Sequence, residues 1–253
     1  MPGSTGTWWE EWAGLRGYAG GTASPGAAFG TDPGQRVAGT GAILLQGIEG
    51  IGLSIESHDP PSANIKINAT TTEFVDGDIL MACDFNHAAI FQVTNYNSNN
   101  VTVVHNTGTG TPGNCSKGLG FPTDCGSVNG NPYQFGPNSQ IVRMKSVIWY
   151  IGNNGRPDEG GRSLYRTRLG AGAGVQTEEI VAGVTDMQFA FREGTGTSLI
   201  DPPAPVDWAG VTAVEVTLTV DSAHQRVSTD LALNQGRLQR NFTTMVGLRN
   251  RNE

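Results

Sequence analysis

Residues 178–192 read EEIVAGVTDMQFAFR, and this stretch decides the expected fold. Two acids and the apolar residues Ile180 and Val181 precede Gly183, and we expect a short helical turn there. After the glycine, apolar side chains alternate with polar ones: Val184, Met187, Phe189 and Phe191 against Gln188 and Arg192. Alternation of this kind is typical of a strand with one buried face. No side chain in this central strand is chemically reactive, which favours a structural role.

Further strands are predicted on both sides of this stretch. They are 42–55 (one or two strands), 79–83, 89–94, 101–105, 141–151, 163–168, 211–220 and a terminal strand within 237–251. The turn at 95–100 predicts that 89–94 and 101–105 form a hairpin. Three segments rich in Gly, Pro, Ser or Asn, 20–41, 106–138 and 194–207, are predicted to be loops.

One helix is predicted, over residues 7–19. Trp8, Trp12, Leu15 and Tyr18 stand at helical spacing and would bury a large aromatic face. The expected fold class is therefore α+β, with an N-terminal helix packed against antiparallel β-sheets that carry long loops. The length of the chain favours a single soluble domain over residues 1–253, with the helix within 1–19 and a β-rich globular part from 20 onward.

Composition limits the classes of partner. The 253 residues carry a net charge of −7, and only 15% of them are charged. An acidic chain without a basic face argues against nucleic acid and anionic lipid as partners. No apolar run reaches the roughly 20 residues of a membrane span, and the first residues do not resemble a signal peptide.

The three cysteines cannot all pair within the chain. Cys115 and Cys125 flank the flexible sequence between them, so we expect a disulfide there in an oxidising compartment, with Cys83 buried and free.

The titratable residues do not form a known catalytic or metal-binding motif. His58, His87, His105 and His224 are scattered, without spacing suited to zinc. Two groups of acids, Asp76, Asp78 and Asp84 in one and Asp158 and Glu159 in the other, could contribute oxygens to calcium, but ordinary solvated turns explain them more simply. We therefore expect no catalysis, cofactor or metal.

The ordered motifs resemble those of PilW-type minor pilins of type IV pili, which are related to GspJ-type pseudopilins. EEIVAGVTDMQFAF is similar to a central segment of that family. So are DIL at 78–80, IFQVT at 90–94, PGNCS at 112–116, WYIG at 149–152, LYR at 164–166, Trp208 before the 211–220 strand, and the terminal LRNR at 248–251. The resemblance covers about the C-terminal two-thirds of the chain in the family's order.

This resemblance implies a non-catalytic protein that helps to prime type IV pilus assembly, at the pilus tip. Its partners would be other minor pilins and the major pilin. The family's membrane helix is not found in this sequence, so attachment to the inner membrane would depend on a segment missing from the chain. The location would be the periplasmic face of that membrane, then the pilus and cell surface.

Within this family framework, partner contacts are expected at the loops 106–138 and 194–207 and at the terminal residues Arg249, Asn250 and Arg251. The terminal arginines could equally solvate and anchor the chain end. The resemblance also makes Cys83–Cys115 a competing disulfide. Other readings of the whole chain are a GspJ-like pseudopilin of type II secretion, a surface adhesin or carbohydrate-binding module, and, least favoured, an enzyme.

Overall fold

Strands make up nearly all of the regular structure. The computed structural model describes residues 14–202, 207–230 and 234–249. Its strands are β1 (Leu15–Tyr18), β2 (Ala42–Asp59), β3 (Asn64–Ile67), β4 (Ile79–Cys83), β5 (Ala88–Gln92), β6 (Asn95–Asn97), β7 (Thr102–Val104), β8 (Gln140–Asn153), β9 (Arg162–Leu169), β10 (Val175–Ala182), β11 (Val184–Glu193), β12 (Val211–Asp221) and β13 (Gln239–Gly247). They form two antiparallel sheets.

The predicted α+β class is wrong, because the described residues contain short 3-10 turns but no α-helix. The part of the predicted helix that the structure describes is strand β1, paired with β2 from Leu15 opposite Leu45 to Tyr18 opposite Ala42. Apolar spacing over so short a segment does not separate helix from strand, and glycine disfavours a helix. Residues 7–13 of that prediction lie outside the described residues.

Gly17 shows why this segment is extended. A Cβ on Gly17 would lie 2.3 Å from Cζ of Phe191 and 2.6 Å from its Cε2. The bare backbone of β1 therefore lies against a fully buried phenyl ring of β11. Such close approach of a strand to an aromatic ring is possible only without a side chain.

The central stretch is a strand on both sides of its glycine. The helical turn expected at Ile180 and Val181 is wrong, since both residues belong to the exposed strand β10. Gly183, with φ of 80°, makes the turn into β11. The predicted burial of Val184, Met187, Phe189 and Phe191 in β11 is confirmed, although Ala190, between the two phenylalanines, is buried as well. A register shift between Val184 and Asp186 explains the three-residue step from Val184 to Met187.

The chain divides into two compact units, each built from separate chain segments. The first comprises residues 47–146 and 169–175. In it β3 pairs with β2 and β7, and β4 pairs with β5 and β8. Its core includes Ile55, Ile65, Leu80, Phe91 and Phe135.

The hairpin predicted between 89–94 and 101–105 does not form. β5 pairs with β4, whereas β7 pairs with β6 and β3. The turn is tighter than expected, because Val101 takes a left-handed φ of 52° and Asn97 lies opposite Thr102. Three residues of the predicted turn, 95–97, thus form strand β6, which pairs with β7.

The second unit comprises the described residues of 13–46, 147–168 and 176–253. It contains β1, the pair β8–β9, strand β10 and the three-stranded sheet β11–β12–β13. Its core is formed by residues of β1, β2, β8, β11 and β12, among them Leu15, Ile43, Ile151, Phe191 and Val214.

Arg36 organises the predicted loop 20–41, which carries only isolated bridges. Its fully buried guanidinium donates to the carbonyl oxygens of Thr22 (2.9 Å), Ala19 (2.9 Å) and Thr40 (2.5 Å). Burial lowers the pKa of Arg36 to about 10, which leaves it cationic at neutral pH. The guanidinium therefore ties the two ends of the loop together, while Val37 packs into the core of the second unit.

No helix within the described residues has the length and apolar character needed to cross a membrane.

Candidate functional site

The long loop 106–138 is anchored to the first unit through Gln92 at the end of β5. The buried amide of Gln92 donates to the carbonyl oxygens of Gly77 and Thr111, both at 2.9 Å, and accepts from Gly113 N–H at 2.8 Å. Asn114 adds a two-way bond to the Gln92 backbone, at 2.7 and 2.8 Å. Because these bonds satisfy a buried amide completely, they fix the start of the loop.

A disulfide closes the middle of the loop. Cys115 and Cys125 are bonded, with Cα atoms 5.2 Å apart. Cys83 is half-buried and free. Two backbone bonds join the closed segment to later residues of the loop, from Lys117 N–H to the carbonyl oxygen of Val128 and from Gly120 N–H to that of Asn131, both at 2.8 Å. The loop is therefore internally cross-linked, although it contains no strand.

The end of the loop packs against the turn between β4 and β5. Tyr133 donates its hydroxyl to Asp84 Oδ2 at 2.8 Å, and the His87 imidazole donates from Nε2 to the carbonyl oxygen of Leu119. The His87 and Tyr133 rings lie 4.4 Å apart. The turn at 84–87 and the loop thus form one continuous surface, which we call the loop surface.

Asp84 shapes the turn. Its Oδ1 accepts from the backbone N–H groups of Asn86 (2.8 Å) and His87 (2.9 Å). Burial by itself would raise the pKa of Asp84, but the hydrogen bonds from Asn86, Tyr133 and His87 outweigh it and hold the pKa below its ordinary value. The same bond to Asp84 raises the pKa of Tyr133. Asp84 is therefore a structural acceptor that already receives three hydrogen bonds.

Large apolar side chains project from the loop surface into solvent. Phe85, in the turn, is fully exposed, and Phe121, two residues after Leu119, is 83% exposed. Val128 is also exposed. Beside the turn lies an open cavity of about 530 Å³, lined by Cys83, Asp84, Phe85, Pro137, Asn138, Ser139 and Gln140. Exposed phenyl rings on an anchored loop are the composition expected of a binding surface.

Beneath the loop, the structure brings together two histidines that the sequence had left scattered. His58 and His105 are buried, with their Nε2 atoms 3.1 Å apart. His58 Nδ1 accepts from Phe135 N–H at 3.2 Å, so His58 carries its proton on Nε2 and donates it to His105. His105 then carries its proton on Nδ1, which is buried and finds no hydrogen-bond partner among the described atoms.

Burial dominates the electrostatics of this pair. It lowers the pKa of His58 to about 4 and that of His105 to about 3, with repulsion between the two imidazoles adding to the effect on His105. Both rings are therefore neutral near pH 7. The residues are 47 positions apart, so only the pairing of strands could have revealed them.

Four of the five acids considered for calcium, all except Asp158, bind other groups of the chain through their carboxylates. Asp76 accepts from Tyr96 N–H, and Asp78 accepts from the N–H groups of Val75 and Gly172. Glu159 pairs with Arg156. Over the part of the chain that the structure describes, no three His, Cys, Asp or Glu side chains come together as a metal site.

The other predicted contact residues lie in the second unit. Arg249 is exposed just after β13, whereas Asn250 and Arg251 lie outside the described residues. In the loop 194–207, Ile200 bonds to Phe191 through both backbone groups, and residues 203–206 are not described.

Comparisons of the chain with protein-family models, with curated proteins and with solved structures found no match.

Proposed function

We propose that this chain is a non-catalytic minor pilin, which helps to prime type IV pilus assembly by binding other minor pilins and the major pilin. Its place would be the periplasmic face of the inner membrane and then the pilus surface. The ordered motifs that resemble PilW-type proteins suggest this role. A GspJ-like pseudopilin of type II secretion is the nearest alternative, since it would also be a non-catalytic protein of an assembly.

The observation that carries the proposal is the exposed, anchored loop surface. Burying Phe85 and Phe121 against a partner would remove two large apolar groups from water, and each fully buried phenyl group contributes about 2 kcal/mol. Because Gln92 and the disulfide already order the loop, little conformational entropy would be lost on binding. A rigid surface with exposed aromatic anchors suits protein assembly.

A pull-down with purified minor-pilin heads from the same genome tests this proposal. We expect the wild-type chain to retain at least one head, and Phe85→Ser and Phe121→Ser each to weaken that binding by about tenfold. Val175→Ser is the matched control, because Val175 is an exposed apolar residue outside the loop surface. Equal binding by all four proteins would contradict the role of the loop surface.

A second function, binding of a glycan at the cell surface, is favoured by one observation. An adhesin reading predicts aromatic rings exposed in loops, and Phe85 and Phe121 are such rings, whereas Trp149, Tyr150 and Tyr165 lie in strands. The cavity beside Phe85 adds the polar groups of Asn138, Ser139 and Gln140. A glycan-array signal that Phe85→Ser abolishes, together with no binding to pilin heads, would favour this function.

A further inference from the structure

Strand β13 has one open edge. It pairs with β12 over its whole length, from Gln239 opposite Asp221 to Gly247 opposite Ala213, without a register shift. On the other side no described strand pairs with it. All nine residues of β13 are exposed. The edge therefore offers unpaired backbone groups to solvent.

The register identifies which groups are unpaired. Leu248 N–H donates to the carbonyl oxygen of Thr212, and Ser222 N–H donates to that of Leu238, both at 2.8 Å. In an antiparallel pair, alternate residues direct both backbone groups to the same neighbour. The even-numbered residues of β13 therefore bond to β12. The odd-numbered ones direct their N–H and C=O groups to the open edge: Gln239, Asn241, Thr243, Met245 and Gly247.

The apolar face of the sheet is incomplete at β13. Met187 of β11, Leu218 of β12 and Phe242 of β13 form one cross-strand row. Met187 is buried and Leu218 is half-buried, but Phe242 is 57% exposed. Val246 ends a second row in the same way. A strand added beside β13 would extend this face and cover part of both side chains.

Charge indicates what kind of strand would bind. Residues 234–249 contain three arginines and no acidic residue, although the chain as a whole has a net charge of −7. Arg237 is buried against backbone carbonyl oxygens, whereas Arg240 and Arg249 are exposed. A second copy pairing through the same edge would add further arginines and no acidic residue from this segment, so an acidic strand is the better complement.

We propose that the open edge of β13 binds an extended, acidic segment of a partner protein by strand addition. Backbone bonds to the five odd-numbered residues would provide affinity, Phe242 and Val246 would take apolar side chains of the segment, and Arg240 and Arg249 would select its acidic ones. This site lies in the second unit and does not depend on the loop surface or on the pilin proposal.

The test uses two synthetic peptides, each nine residues long like β13. One carries valine at the positions that would lie beside Phe242 and Val246 and glutamate at the others, because Arg240 projects to the same face of the strand as these two residues, and the other peptide carries lysine in place of glutamate. We expect the glutamate peptide to bind the wild-type chain and the lysine peptide to bind at least about tenfold more weakly. Equal affinities, or no binding of the glutamate peptide at millimolar concentration, would overturn the proposal.

Variants of β13 separate backbone pairing from charge. Asn241→Pro removes an outward N–H and no bond to β12, so it should weaken binding of the glutamate peptide by about tenfold or more. Asn241→Ala keeps that N–H and is the matched control. If Asn241→Pro does not fold, the double variant Arg240→Glu/Arg249→Glu provides the second measurement, and it should reverse the preference towards the lysine peptide.

Two further outcomes would reject the proposal. Unchanged binding of the glutamate peptide to a folded Asn241→Pro protein would exclude strand addition. If the charge-reversed variant still preferred the glutamate peptide, Arg240 and Arg249 would not be the residues that select acidic side chains. Sedimentation of the wild-type chain measures whether a second copy of the chain occupies the edge instead. A dimer that Asn241→Pro dissociates would assign the edge to a second copy instead. Failure of the pull-down with pilin heads would leave this proposal unaffected, since the peptide test uses no pilin.

Discussion

His58 and His105 are the residues for which the fold sets the charge state most strongly. Their pKa values in the folded chain, about 4 and about 3, lie below the ordinary value of 6.5 that applies when the chain is unfolded. The unfolded chain therefore takes up protons first as the pH falls. The stabilising contribution of the neutral pair is complete above pH 6.5 and is lost progressively between pH 6.5 and about 3.

We predict that the free energy of unfolding decreases by about 1–2 kcal/mol per histidine between pH 7 and about pH 5. Chemical denaturation at the two pH values measures this change. The control is His58→Gln/His105→Gln, which should lose less stability over the same window. If that variant does not fold, NMR titration of the wild-type chain decides. Titration of the assigned His58 and His105 imidazole signals near pH 6.5 would contradict the account.

Gly17 provides a test of close packing in the second unit. A methyl group there would overlap the ring of Phe191, which is fully buried and cannot move aside freely. We predict that Gly17→Ala lowers the free energy of unfolding by about 1–3 kcal/mol. Gly47→Ala is the matched control, because Gly47 also lies in a strand and a Cβ there meets no atom within 4 Å. Equal stabilities of the two variants would show that β1 does not pack as described.

At the scale of elements, the disulfide should stabilise the loop 106–138. Cys115 and Cys125 are 10 residues apart, so cross-linking them restricts the unfolded chain by about 2–3 kcal/mol in the chain-entropy model. We predict that Cys115→Ser/Cys125→Ser is less stable than wild type by about that amount under oxidising conditions. Cys83→Ser, which removes the free thiol, should keep the disulfide, and a loss of stability only in Cys83→Ser would contradict the assigned pairing.

Strands with clear local alternation were predictable from the sequence, whereas their partners were not. β4 has the predicted bounds, and β12 agrees within one residue, because branched and apolar residues favour an extended backbone wherever the strand is placed. The hairpin partner of 89–94 and the helix over 15–18 were wrong, because tertiary pairing overrides local spacing. Both errors concern which segments pair with each other, and pairing depends on residues that are far apart in the sequence.

The candidate site was predictable to the same degree. Gly, Asn and Pro content indicated the loop 106–138, and the cysteine spacing indicated the pair that is bonded. The exposure of Phe85 and Phe121 depends on where the turn and loop lie, so the residues themselves gave no signal. The His58–His105 pair needed the β2–β3–β7 pairing, which brings distant segments together.

At the scale of the whole molecule, the two units present two different kinds of surface. The first carries the anchored loop surface with its exposed phenyl rings, and the second carries the basic open edge of β13. The first suits side-chain burial against a folded head, and the second suits backbone pairing with an extended segment. A protein that contacts several neighbours in an assembly needs more than one such surface.

The most direct test of the proposed role is the number of surface pili on cells of the organism that encodes this chain, counted after deletion of the gene. The account predicts a strong loss of pili. Wild type and Val175→Ser should restore piliation, and Phe85→Ser/Phe121→Ser should restore it poorly despite equal protein levels. Normal piliation in the deletion strain would contradict a role in priming pilus assembly.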